Sequence, residues 1–132
     1  EIVSSSFDQI EAWMKDQSNR RYRRKILEVM EYIDANLNRK LTLKEIADSI
    51  GMNESSLSRL FKNETGVNLN YYINEKKMKK AMELLRGESS MIKDVAAAVG
   101  MDDQLYFNKV FKKYYNVSPS EFKKKLHPDT EE

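Results

Sequence analysis

Residues 51–68 read GMNESSLSRLFKNETGVN and residues 100–118 read GMDDQLYFNKVFKKYYNVS, and no other feature of this 132-residue chain narrows its fold as much. At an offset of 49, Ile46, Ala47, Ile50, Gly51, Met52 and Asn53 match Val95, Ala96, Val99, Gly100, Met101 and Asp102. At an offset of 50, Leu57, Arg59, Leu60, Phe61 and Lys62 match Phe107, Lys109, Val110, Phe111 and Lys112, and Val67 and Tyr72 match Val117 and Phe122. The chain therefore carries one structural unit twice. The second copy has one residue more, placed between the cap Asp102 and the first core side chain Phe107. A turn or a first helical turn absorbs such an insertion, whereas a helix interior would rotate its buried face away.

The unit is helical. No segment alternates apolar and polar residues in the manner of a strand, and the two prolines and four glycines stand as punctuation, so the expected class is all-α. Thr42 with Glu45 predicts a capping box ahead of the apolar positions Ile46, Ala47 and Ile50, with Gly51 ending that helix. Asn53 is expected to cap the next helix, with Leu57, Leu60 and Phe61 inward, and Asp102 to do the same for Phe107, Val110 and Phe111. Between the copies lies a long helix over about 69–86, with Tyr71, Met78, Ala81, Met82 and Leu85 expected inward and Gly87 as its stop. A helix over 20–37 carries Ile26, Leu27, Met30, Ile33 and Leu37 on one stripe, and Pro119 opens a short final helix. An earlier stretch, 7–17, offers a further stripe of Phe7, Ile10, Trp13 and Met14.

Composition excludes some chemistry. Without cysteine there are no disulfides, thiolate zinc sites or thiol nucleophiles, which suits a reducing cytoplasm. No apolar run approaches the roughly 18–20 residues that cross a bilayer, so no membrane partner is expected. One histidine, no glycine-rich phosphate loop and no carboxylates paired in a shared pocket pattern point away from an enzyme, and nothing calls for a cofactor or metal. The net charge of +2 is small, but it is unevenly spread. Residues 1–19 hold one basic and four acidic side chains, residues 20–40 seven and three, and the tail 127–132 is acidic. A basic middle permits a polyanionic partner. The chain opens Glu-Ile-Val, which reads as a fragment of a longer protein.

A short capped helix, a turn with glycine and a second amphipathic helix make a helix-turn-helix. The small Ala47 and Ala96 allow close approach of the paired helices. Helical periodicity turns Ser55, Ser58, Arg59 and Lys62 outward in the first unit, and Gln104, Leu105, Asn108, Lys109 and Lys112 in the second. Those side chains suit base edges and phosphates in a major groove wide enough for a helix. Arg59 is the strongest candidate for a guanine contact, worth roughly 1–3 kcal/mol of discrimination if bidentate. A connecting helix of about seventeen residues spans about 25 Å at 1.5 Å per residue. The second helices of the two units could then reach successive grooves about 34 Å apart.

The run LTLKEIADSIGMNESSLSRLFKNETG, a long helix, and then IKDVAAAVGMDDQLYFNKVFKKYYNVSPSEF closely resemble the AraC/XylS family of bacterial transcription regulators, over residues 24–126. The closing FKKYYNVSPSEF is the most specific part of the match. The resemblance implies two helix-turn-helix subdomains joined by a central helix. It implies a first unit over 24–67, a connecting helix over 68–87 and a second unit over 88–126, with recognition helices at about 54–65 and 103–115. It implies base contacts from Ser55, Ser58, Arg59, Gln104, Leu105, Asn108 and Lys109. Phosphate contacts are expected from Lys62, Asn68, Lys112, Lys113 and Ser118, with helix starts near Asn68 and Ser118 supplying amides. The implied partners are double-stranded promoter DNA, RNA polymerase, an N-terminal sensor or receiver domain, and a second subunit through that domain. The implied role is transcription regulation, as an activator among other possibilities, in the bacterial cytoplasm and on the nucleoid when bound.

Leu105 stands where the family commonly has a small polar residue, and Lys109 where arginine is frequent. Leucine can meet only a thymine methyl or a sugar, and lysine is the less directional donor, so the second unit is expected to be the poorer reader. Leu105 could instead cover the edge of the core. The basic run RRYRR at 20–24 opposes the dipole at a helix start, so either the helix begins earlier, or the run meets an anion, or it is simply solvated, which is the preferred reading. Residues 1–19 are expected to form a linker helix against another domain, a second subunit or this one, and 127–132, with His127, a surface tail. The rival reading is a helical protein-interaction or dimerisation module with weak non-specific affinity for DNA. It leaves unexplained why polar and basic outward faces recur at matching positions.

Overall fold

A computed structural model of the chain describes residues 20–87 and 90–126. The expected linker helix over 1–19 and the tail with His127 lie outside the described residues. Among the described residues the fold is seven helices and no strand. These are α1 Arg20–Ala35, α2 Leu43–Ser49, α3 Glu54–Thr65, α4 Leu69–Leu85, α5 Ile92–Ala98, α6 Gln104–Tyr115 and α7 Pro119–Leu126. They form two compact units, one of residues 20–36 and 41–73, the other of residues 37–40 and 74–126.

In the first unit α1 buries Ile26, Val29 and Ile33. Leu27 and Met30 are only half-buried, and Leu37 lies beyond the helix end. The capping box of α2 is present: the Glu45 amide donates to Thr42 Oγ1 at 3.1 Å, and the Thr42 amide to Glu45 Oε1 at 3.2 Å. Two orphan donors at one helix start are thereby satisfied. Ile46 and Ala47 are fully buried, and Gly51 takes φ 72° just past the helix. Asn53 caps α3 through the Ser56 amide at 2.7 Å. Leu57 and Phe61 are fully buried while Leu60 stays half-exposed. Gly66 closes α3 at φ 86°, and Phe61 meets Tyr72 of α4 edge-on, centroids 5.3 Å apart.

The second unit repeats this plan closely. Val95, Ala96 and Val99 are buried, Gly100 takes φ 75°, and Phe107 and Phe111 are fully buried. Asn116 closes α6 at φ 65° where the first unit has Gly66, because asparagine tolerates the left-handed region better than most residues. Phe111 meets Phe122 at 5.9 Å, as Phe61 meets Tyr72. Pro119 is the first residue of α7 and is buried.

Two expectations are corrected. The cap of α6 is Asp103, not Asp102: Asp103 Oδ1 accepts from the amides of Leu105 and Tyr106 at 3.0 and 3.4 Å. A cap must stand four residues before the first core side chain, as Asn53 does before Leu57, and only Asp103 stands so before Phe107. The extra residue is therefore Asp102, in the turn. The second correction concerns α4. Tyr71 is 46% exposed, whereas Leu69, Tyr72 and Ile73 are buried. From Lys77 onward the buried set is Met78, Ala81 and Leu85. At 3.6 residues per turn these two sets occupy different faces of one helix, so a single stripe drawn from Tyr71 to Leu85 misplaces its first member.

Candidate nucleic-acid interface

The outward face of α3 lines an open groove of about 560 Å³ on the first unit. Ser55, Ser58, Arg59, Lys62 and Asn68, five of the residues expected at the interface, all border it. Leu43, Glu54 and Asn63 border it too and were not anticipated. The helix can present this face because Leu57 and Phe61, on its opposite side, are fully buried. The groove thus combines a guanidinium, an ammonium, two hydroxyls and two amides, a donor-rich set matched to guanine edges and phosphate oxygens. Glu54 brings a negative charge to the helix start, where the dipole favours it.

On α6 the register from the cap onward matches α3 residue for residue at an offset of 50: Gln104 falls with Glu54, Leu105 with Ser55, Asn108 with Ser58 and Lys109 with Arg59. Gln104, Leu105, Lys109, Lys112 and Lys113 are exposed and Asn108 is half-buried. Asn108 turns its side-chain carbonyl oxygen inward, where it has no hydrogen-bond partner. Leu105 is 78% exposed, which rules out the reading that it covers the core edge.

The helices that follow the recognition elements begin differently. Asn68 caps α4, its Oδ1 accepting from the Tyr71 amide at 2.8 Å, and the first turn of α4 holds no acid. Ser118 caps α7, where its amide donates to Glu121 Oε1 at 3.0 Å and the Glu121 amide donates back to Ser118 Oγ at 3.1 Å. The Ser118 backbone amide, with the Ser118 hydroxyl and the charges of Lys112 and Lys125, holds the Glu121 carboxyl below the usual carboxylate range. A carboxylate already sits at the start of α7, whereas the start of α4 carries none.

Behind each recognition helix a lysine fastens the turn. Lys25 Nζ on α1 donates to the carbonyl of Ile50, the residue that follows α2, at 3.0 Å. Lys77 Nζ on α4 donates to the carbonyl of Val99, the equivalent residue after α5, at 2.7 Å. It also donates to Leu37 O at 2.9 Å and Arg39 O at 2.7 Å. Lys77 is 4% exposed, and burial, then the charges of Arg39 and Lys80, push it down to about 8. The sequence held a signal for both lysines: at an offset of 52, Lys25, Ile26, Val29 and Ile33 match Lys77, Met78, Ala81 and Leu85. The duplication therefore extends back into α1 and α4.

A family model described as a helix-turn-helix domain matches residues 46–125. The lactose operon transcription activator of Staphylococcus xylosus is 32% identical over 98 residues, covering 74% of this chain and 35% of that protein. The chain spans from a quarter to less than half of the length of curated relatives it matches, between 25% and 44%. Among solved structures, the C-terminal domain of AraT, a response regulator from Geobacillus stearothermophilus, is 31% identical with a TM-score of 0.74, covering 76% of this chain and 84% of that one. An AraC-type regulator from Chromobacterium violaceum is 26% identical with a TM-score of 0.70, over 80% of this chain and 94% of that one.

Proposed function

This chain belongs to the AraC/XylS family of helix-turn-helix transcription regulators, and from that premise we propose that it binds duplex promoter DNA by placing α3 and α6 in successive major grooves. The observation that carries the reading is the groove on α3, where the five side chains expected in the first unit border one open surface. Ser55, Ser58 and Arg59 would read bases there, with Arg59 on guanine, while Lys62 and Asn68 hold phosphate. In the second unit Gln104, Leu105, Asn108 and Lys109 face the bases and Lys112, Lys113 and Ser118 the backbone, with Glu121 weakening the last. An N-terminal sensor or receiver domain would control the protein, a reading supported by the likeness of this fold to the C-terminal domains of response regulators. Contact with RNA polymerase, dimerisation through that added domain and work on the bacterial nucleoid follow from the same reading.

Duplex binding measured across a salt series tests it. The logarithm of affinity should fall steeply and linearly with the logarithm of salt as counterions are released. No binding at low salt sinks the proposal and favours a protein-interaction module. Footprint length separates one groove from two. Arg59→Ala should weaken a selected site far more than random duplex, and Lys112→Ala should weaken both alike. Equal losses for Arg59→Ala on both would make it a phosphate contact.

A further inference from the structure

Leu105 is the most exposed large apolar side chain among the described residues, at 78%, and Tyr106 beside it is 50% exposed. A single exposed leucine on a protein surface is ordinary. Its position is not. Counted from the helix cap, Leu105 occupies the place that Ser55 holds in the groove of the first unit. Its backbone amide is tied to Asp103 Oδ1 at 3.0 Å, so the side chain projects from a fixed point in the first turn. The residues around it are hydrogen-bonding or cationic, namely Gln104, Lys109 and Lys112, and all three are exposed. Asn108, one turn on, is half-buried with its carbonyl oxygen turned inward and without a partner, so it stands less far out than Leu105. The second unit therefore presents an apolar tip among hydrogen-bonding and cationic neighbours, at the place where the first unit has a hydroxyl.

We propose that Leu105 selects thymine by packing on its C5-methyl group, so that the second unit reads a methyl where the first reads polar base edges. The inference rests on the DNA-binding reading above. In the major groove the thymine methyl is the apolar feature that base edges offer, and no other unmodified base carries it. The basic side chains around Leu105 are attracted to the phosphates, which brings the leucine to the groove floor. Burying one methyl group contributes about as much as a buried CH₂, an affinity change of roughly three- to fivefold.

Deoxyuridine differs from thymidine only by that methyl, and it is the probe. A duplex selected from a random library by this chain is remade with each thymine replaced singly by deoxyuridine, and affinities are measured for the wild type and for Leu105→Ala and Leu105→Ser. One or two positions should lose about three- to fivefold with the wild type, and both variants should bind thymine and uracil equally there. Both substitutions are at an exposed position, so the fold should survive them, and circular dichroism checks this. The proposal is overturned if no thymine is sensitive to replacement, or if the sensitivity persists in Leu105→Ala. It is also overturned if Leu105→Ala weakens binding without altering any thymine–uracil ratio, which would place the leucine against a sugar. Failure to select or bind any duplex at low salt shows earlier, before a base is changed, and overturns the DNA-binding reading itself.

Discussion

Gly51 and Gly100 hold the same place in the two units, at φ 72° and 75°, but their surroundings differ. A Cβ on Gly51 would meet nothing within 4 Å, whereas one on Gly100 would lie 2.5 Å from the backbone carbonyl carbon of Arg39. Gly51→Ala should therefore cost only the left-handed strain, about 1–2 kcal/mol. Gly100→Ala adds a backbone overlap that no side-chain rotation relieves, and should cost more than about 3 kcal/mol or prevent folding. Urea midpoints of the two variants check this, and equal losses would refute it. Lys77 is the other residue on which much depends. Replacing it with methionine strips donors from three carbonyls and should destabilise by about 2–3 kcal/mol at pH 7. Its pKa of about 8 in the fold lies below its ordinary 10.5. Between those values the unfolded chain holds a proton that the fold has released, so this group's contribution to stability rises with pH across the window. The wild type should gain on Lys77→Met from pH 8 to 10.5, and a flat difference would show that the group titrates normally.

At the level of helices, the two recognition elements keep one register from cap to core, and the extra residue lies in the preceding turn. Asp103→Ala should cost about 1 kcal/mol as a lost cap, while Asp102→Ala should stay within about 0.5 kcal/mol. Thermal melts of the two decide, and the opposite ranking would restore Asp102 as the cap. Much of this was legible beforehand: the capping box at Thr42 and the cap at Asn53 are local patterns, and the core faces of α2, α3, α5 and α6 are periodic. Two adjacent aspartates defeated the same logic, because the cap is identified by counting back from Phe107 rather than forward from Gly100. Helix α4 misled for another reason: its buried set changes face between Ile73 and Lys77, so no single stripe describes it. Leu105 could be read as outward, but its degree of exposure could not. The roles of Lys25 and Lys77 escape local pattern because their acceptors lie 22–40 residues away in the chain. In the first unit the groove residues were legible because helical phase alone brings Ser55, Ser58, Arg59 and Lys62 to one face. Leu43 and Asn68 join them from neighbouring elements.

Across the whole molecule, neither compact unit is a continuous piece of chain. Residues 37–40 lie in sequence between α1 and α2, yet they belong to the second unit, and the division within α4 falls after Ile73. A fragment of residues 68–126 would keep α5, α6 and α7 but lose two of the three carbonyls that receive Lys77, and with Arg39 the backbone against Gly100. That fragment should show no cooperative unfolding by circular dichroism under conditions where residues 20–126 do, and a sharp transition in the short fragment would refute this. The placement of residues 37–40 also bears on inheritance. A single crossover within α4 that brought in a second reading head from another regulator would separate it from Leu37 and Arg39, whose carbonyls receive Lys77. Exchange of specificity between relatives would then require two coordinated breakpoints, or else point changes on the exposed faces of α3 and α6. The tetrapeptide Leu37–Lys40 makes the duplicated halves a linked pair in heredity as well as in structure.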